Sequence, residues 1–199
     1  MLKKGIILLV FLSSIIIFTY SSFYFRSNQN SEINFSVIKN GDLILRCGRS
    51  TESYTVYLAD KNSEFTHIGI ISVENKIPYV IHAVPHKNKY IKKETLKDFL
   101  KPKFTSKFAL YRNNLNESYL EKIVEEANLF YHNKYIFDSE YDLKTKSKLY
   151  CTELIINAYK NIGISLKLNA KKFSYVFGKH SIIFPSEFTK PPFKKITIN

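Results

Sequence analysis

The apolar residues of this chain fall into two helical stripes and one alternating block, and these stretches set the expected architecture. From Asn116 to Tyr131, Leu120, Ile123, Val124, Ala127 and Tyr131 recur at spacings of three and four, with Glu117, Glu121, Glu125 and Glu126 on or near the outer face. That spacing predicts an amphipathic helix, with Asn114 or Asn116 as its N-cap. A second stripe begins at Cys151 and runs through Leu154, Ile155, Ala158 and Ile162, and Gly163 supplies the stop, since glycine takes the left-handed conformation past a helix end without penalty. Between Phe65 and His86, the segments Thr66–Val73 and Ile77–Val84 are rich in β-forming residues and flank Glu74-Asn75-Lys76, the pattern of a β-hairpin.

The hairpin carries two histidines, His67 and His82. If Glu74-Asn75 is a two-residue loop, Val73 pairs with Lys76 and the histidines face each other directly. If the loop is Asn75-Lys76, they sit diagonally on the same face. Direct partners have Cβ atoms about 5 Å apart and diagonal ones about 7–8 Å. A slip of one residue would put them on opposite faces. Pro78 limits its neighbours to an edge or bulged position.

The other elements are shorter. Gly41–Arg46 predicts a turn and a buried strand, Ser50–Lys61 a short helix with Tyr54, Tyr57 and Leu58, and Lys92–Leu100 a short helix with Leu96, Phe99 and Leu100 inward. Phe108–Arg112 is a further strand, Asn133–Ser147 a loop, and Ser181–Ser186 a strand running into a turn before a basic end. No internal repeat is visible. The whole is α+β: a small antiparallel sheet packed on helices.

Residues 1–26 stand apart. Lys3 and Lys4 precede an almost wholly apolar run from Gly5 to Tyr20, which predicts an N-terminal hydrophobic helix serving as an uncleaved anchor or, alternatively, a cleaved signal peptide. Positive charge ahead of the run places the domain outside the membrane. Residues 27–34 are a linker, and 35–199 the folded domain. The expected location is thus extracytoplasmic, either membrane-anchored or secreted or periplasmic.

The 199 residues include 30 Lys+Arg against 17 Asp+Glu, a net charge of +13, and are 45% hydrophobic. That supports a real core and excludes a disordered chain. The basic surface attracts anionic partners, but no basic motif with interleaved aromatics singles out nucleic acid, and no nucleic-acid partner is expected. Cys47 and Cys151 are the two cysteines. They are too few for a disulfide framework, although one bridge between them would disable either thiol. With no CxxC pair and no close His/Cys cluster, neither a metal nor another cofactor is expected.

The helix start suits Cys151 as a nucleophile, because aligned backbone N–H groups stabilise a thiolate there. It equally suits a core cysteine. A cysteine becomes useful at neutral pH when an imidazole takes its proton and a third polar group orients that imidazole. Packing the helix start against the His67 face of the hairpin would assemble Cys151, His67 and His82, with the Cys151 N–H as an oxyanion donor. His86, His132 and His180 are expected in solvated loops. Glu153 is read as a first-turn carboxylate or a buried structural partner.

Several segments carry a family resemblance: Gly41-Asp42-Leu43-Ile44, Phe65-Thr66-His67-Ile68-Gly69-Ile70, Pro78-Tyr79-Val80-Ile81-His82-Ala83-Val84, Tyr135-Ile136-Phe137-Asp138, Leu149-Tyr150-Cys151-Thr152-Glu153-Leu154 and Ile183-Phe184-Pro185-Ser186. In these the chain resembles the YiiX/YaeF-like permuted papain-fold amidases, relatives of the NlpC-type peptidases, over roughly residues 40–188. Histidine before cysteine is the distinctive order. The resemblance implies a circularly permuted papain-like fold with Cys151 as nucleophile, His67 as general base and His82 at the third polar position, where some members carry glutamate. The expected activity is cysteine-dependent hydrolysis of an amide bond in a peptidoglycan stem peptide or another acyl or γ-glutamyl amide. Two alternatives stay open: an acyltransferase, thioesterase or lipid hydrolase using the same residues, and an inactive ligand-binding module on a membrane anchor. An apolar groove at Cys151 favours the lipid-type chemistry; a polar one favours peptide.

Overall fold

The computed structural model describes residues 34–61, 63–85, 90–141, 145, 147–175 and 178–197. The expected hydrophobic leader, most of the linker and His86 lie outside these. Among the described residues, no helix is long and apolar enough to cross a membrane.

Six antiparallel strands form the main sheet. In chain order they are β1 (Leu43–Gly48), β2 (His67–Glu74), β3 (Ile77–His82), β4 (Lys92–Thr95), β5 (Thr105–Asn113) and, late in the sequence, Phe193–Ile196; in space the order is Phe193–Ile196, β5, β1, β2, β3, β4. Helices α1 (Thr51–Ala59), α2 (Leu96–Phe99), α3 (Glu117–His132) and α4 (Cys151–Asn161) are joined to it. Short strands β6 (Ile136–Phe137) and β7 (Lys148–Leu149) pair in parallel, and β8 (Lys171–Tyr175) pairs with β9 (Gly178–Ile182). The strand at Phe193–Ile196 is β10.

Alternation along the strands separates two cores. On one face, Leu43, Leu45, Ile68, Ile70 and Ile81 pack with Ile123, Ala127, Leu154, Ile155 and Ala158 of α3 and α4. On the other, Ile44, Ile71, Val80 and Leu110 pack with Leu96 and Phe99. The α3 helix is capped by the Asn116 side chain, which accepts from Tyr119 N–H; it buries Phe130, and the expected Tyr131 packs half-buried against the same core. Gly41, at φ +79°, makes the turn into β1, where an added Cβ would lie 2.9 Å from Leu120 Cδ2. Asp42, fully buried, takes Arg112 Nε at 2.6 Å and Nη2 at 2.7 Å, tying β1 to β5.

The hairpin adopts the second of the two open registers. Glu74 pairs with Ile77, and Asn75 and Lys76 form the loop at φ 50° and 66°. Two successive positive φ values give the turn whose twist matches the strands. Pro78 pairs with Val73 but lies beyond the end of the β3–β4 ladder, which begins at Tyr79↔Thr95, so its missing N–H interrupts nothing on that side.

Four expectations need correction. The expected loop Asn133–Ser147 contains the strand β6. Lys92–Thr95 is a strand, not the first turn of a helix; the helix begins only at Leu96, where the Thr95 side chain accepts from Asp98 N–H. The basic tail contains β10, an edge strand on β5. His132 ends α3 and His180 falls in β9, so neither sits in a loop.

Candidate functional site

The sheet places one polar residue from each of four consecutive strands on a single face. Arg46 of β1 is the direct partner of His67 in β2. His82 of β3 lies diagonally from His67, and Glu94 of β4 lies diagonally from His82, since Glu94 pairs with Val80 and Lys92 with His82. His67 Nε2 is 2.8 Å from His82 Nδ1, and His82 Nε2 is 3.0 Å from Glu94 Oε1. Glu94 Oε2 accepts from Lys92 Nζ at 2.6 Å. Phe99 backs the line: its ring centroid is 5.8 Å from His67, 5.0 Å from His82 and 4.1 Å from the Arg46 guanidinium.

Gly69, next on this face after His67, makes the diagonal possible. A Cβ there would stand 2.4 Å from Val80 Cγ1 and 3.1 Å from His82 Cβ. The empty position lets the His82 ring lean across to His67.

Glu94 was not among the expected site residues. Its sequence signal is a carboxylate in a run of charged residues just ahead of Leu96, a run whose spacing reads as helix. The carboxylate therefore stands one imidazole away from His67.

Cys151 is the first residue of α4 and is half-buried. Tyr150 precedes it in extended conformation, and Glu153 Oε2 accepts from the Tyr150 N–H at 3.4 Å. Glu153 is therefore a buried structural partner of the helix start. The body of α4 packs on the sheet face bearing Ile68 and Ile70, opposite the one bearing His67. The body of the helix is thus on the face away from His67, and only its start, the part expected to approach His67, reaches the shared cleft. His67 opens β2 and Cys151 opens α4, and both line one cleft of about 500 Å³. Cys47 and Cys151 are not joined by a disulfide, so the bridge that would have blocked Cys151 is not formed.

Burial governs the ionisation of the group. It pushes the Cys151 thiol up to about 11, against the backbone N–H groups of Ile68, Thr152 and Cys151 and the charge of Arg46, which favour thiolate. Burial, followed by Arg46 and His82, holds His67 well below the ordinary histidine value. His82 is brought to about 4 by burial, although Glu94 favours its charged form. Glu94 is half-buried, which opposes its charge, yet hydrogen bonds from His82 and Lys92 bring it down to about 2. At neutral pH the line is therefore carboxylate, neutral imidazole, neutral imidazole.

A second cleft of about 230 Å³ also reaches Cys151. It is mostly apolar, with Val56, Phe137, Tyr150, Ile182, Ile183 and Phe184 in its wall. Thr152 Oγ1 donates to Ile183 O at 2.6 Å and holds this wall against the start of α4.

A family model described as permuted papain-like amidase enzyme, YaeF/YiiX, C92 family, matches residues 37–190. The chain belongs to this family. Uncharacterized protein YiiX of Escherichia coli strain K12 is 26% identical over 125 residues, covering 62% of this chain and 58% of that protein. The match thus spans less than two thirds of the relative's length. A crystal structure of metalloprotein yiiX from Escherichia coli O157:H7 superposes with a TM-score of 0.68 at 20% identity, over 81% of this chain and 97% of that one. The permuted papain-like amidase fold is therefore shared.

The yiiX structure is described as that of a metalloprotein. The described donor set does not fit a metal. Among the described residues no three His, Cys, Asp or Glu side chains are grouped to hold an ion, and the nitrogens that His67 and His82 turn toward each other are engaged in their mutual hydrogen bond.

Proposed function

We propose that this permuted papain-like amidase is a cysteine-dependent hydrolase that cleaves an amide through an acyl-enzyme on Cys151. The observation that carries this reading is the hydrogen-bonded line Glu94–His82–His67 ending in the cleft that Cys151 also lines.

The line specifies the tautomers. Ionised Glu94 only accepts, so His82 carries its proton on Nε2 and offers a lone pair at Nδ1. His67 must then donate from Nε2, which leaves its Nδ1 bare. In the proposed reaction, Cys151 Sγ attacks the carbonyl carbon while its proton passes to His67 Nδ1. The backbone N–H of Cys151 stabilises the oxyanion. The resulting imidazolium is stabilised through His82 by Glu94. His67 then protonates the leaving amine, and the C–N bond breaks. Water attacks the thioester, giving a proton to His67 Nδ1, and that proton returns to sulfur as the acid departs.

The substrate class follows the family: a peptidoglycan stem peptide, or another acyl or γ-glutamyl amide. The apolar second cleft favours an acyl half that is itself apolar, and it supports the rival reading of an acyltransferase, thioesterase or lipid hydrolase. Incubation of the protein with muropeptides, N-acyl amino acids and phospholipids, beside Cys151→Ala, separates these. Release of a free amine together with an acyl adduct on Cys151 by mass spectrometry supports the amidase. Release of an acid from esters alone supports the lipid hydrolase. No turnover, or equal turnover by the alanine variant, sinks the enzymatic reading. We further propose that residues 1–26 hold the domain outside the membrane, on the strength of the lysine-flanked apolar run. Domain that resists protease added to spheroplasts or protoplasts, and becomes sensitive only when the inner membrane is lysed, would overturn that placement.

A further inference from the structure

Arg46 is the member of the polar line that the proposed reaction does not consume. Two half-buried arginines of the sheet make an instructive contrast. Arg112 is held by both oxygens of Asp42. Arg46 has no carboxylate within ion-pair distance among the described residues. Its Nη1 donates to the Phe99 carbonyl at 2.5 Å, its Nε is buried without a partner, and its guanidinium lines the cleft beside His67 and Cys151. Charged side chains this deep are ordinarily paired, and a guanidinium presents a planar fork that suits a carboxylate or phosphate.

The surroundings point to the same ligand. Arg49, Lys92 and Lys103 line the same cleft. The acids there are Glu94 and Glu52. Glu94 is engaged by His82 and Lys92, and Glu52, exposed, lies where this cleft meets the apolar one. The proposed reaction also assigns the two halves of a substrate. His67 would protonate the departing nitrogen, so the leaving amine is placed in the cleft that His67 lines with the cations. The acyl half is left with the apolar cleft, which meets the first at Cys151.

We propose that Arg46, with Lys103 at the rim, forms a subsite for an oxyanion carried by the leaving amine. The preferred substrate is then an N-acyl amino acid or N-acyl aminophosphate rather than a neutral amide. This rests on the amidase reading for its biological meaning, but the site itself is testable without turnover.

The experiment measures how small amides protect Cys151 of the full chain from alkylation by iodoacetamide at pH 9. Three probes share one acyl group: N-acetylglycine, its neutral analogue N-acetylglycinamide, and N-acetyl-O-phosphoethanolamine. We expect at least one anion to protect about tenfold better than the neutral amide, the scale of a charge-assisted contact. Which anion does so tells carboxylate from phosphate. Arg46→Gln should bring that ratio close to one. Lys103 is exposed, so Lys103→Gln leaves packing intact, and it should lower the ratio roughly two- to threefold, as a single rim charge does. If Arg46→Gln does not fold, Lys103→Gln decides alone. Equal protection by all three probes, or a ratio that neither variant changes, overturns the subsite. Because the readout is alkylation, absence of hydrolysis would count against the amidase reading and leave this result standing.

Discussion

His67 Nε2 lies 2.8 Å from His82 Nδ1, and an ionised Glu94 beyond His82 assigns the proton between them to His67. Glu94, on the far side of His82, enforces this by being able only to accept. Glu94→Gln removes that constraint, because the amide can donate to His82 Nε2 and reverse both tautomers. The lone pair on His67 Nδ1 is then lost. We expect kcat to fall about 10- to 100-fold, or about 1.4–2.7 kcal/mol of barrier, with KM nearly unchanged. Steady-state kinetics would check this, and an unaltered kcat would show that Glu94 does not orient the base.

The two histidines also make the fold acid-sensitive. In the folded chain His82 is held down to about 4 and His67 well below 6.5, both chiefly by burial. As pH falls through 6.5 the unfolded chain takes up protons on both and the folded chain does not. Stability is therefore full above about pH 6.5 and declines toward about pH 4, at roughly 1 kcal/mol per pH unit for each histidine. Glu94, lowered to about 2, adds to the loss below its ordinary 4.5. Urea unfolding at pH 7, 6 and 5 should show the decline, and His82→Gln should halve its slope. A slope identical in the variant would contradict this.

Cys151 should behave as a resting thiol. With its pKa pushed up to about 11 by burial and that of His67 pushed down, the proton stays on sulfur until substrate arrives. The rate of alkylation by iodoacetamide should rise with pH toward a midpoint near 11. A plateau of fast alkylation at neutral pH would instead reveal a preformed thiolate–imidazolium pair.

Gly69→Ala tests the space between the histidines. The new methyl would meet Val80 Cγ1 at 2.4 Å and His82 Cβ at 3.1 Å. Overpacking of this kind costs about 1–3 kcal/mol. Activity should fall well beyond the effect on stability, because His82 is moved off His67. A variant with normal kcat would mean that the diagonal contact is not needed.

The elements that bury apolar residues were legible in the sequence. Leu120 to Ala127 and Cys151 to Ala158 marked α3 and α4, and the β-rich segments marked the central hairpin. What escaped were the two edges of the sheet. At β4 stand Lys92, Lys93 and Glu94, and at β10 Lys194 and Lys195. Edge strands carry charge to deter pairing with other chains, and the same charge erases the alternation by which a strand is read. Glu94 was missed for that reason alone. The turn was ambiguous because Lys76, a residue that seldom takes positive φ, occupies one of its two left-handed positions. The side of the sheet on which α4 packs was not readable either, since His67 alternates with Ile68 and one residue of phase decides it.

The diagonal from Arg46 through His67 and His82 to Glu94 takes one residue from each of four strands. A sheet in which one strand slipped by two residues would still turn its apolar residues inward and could pass for folded by every bulk measure. It would nonetheless scatter this line. On the proposed mechanism, turnover would therefore report the register of the sheet, sensitive to errors that compactness and helix content do not record.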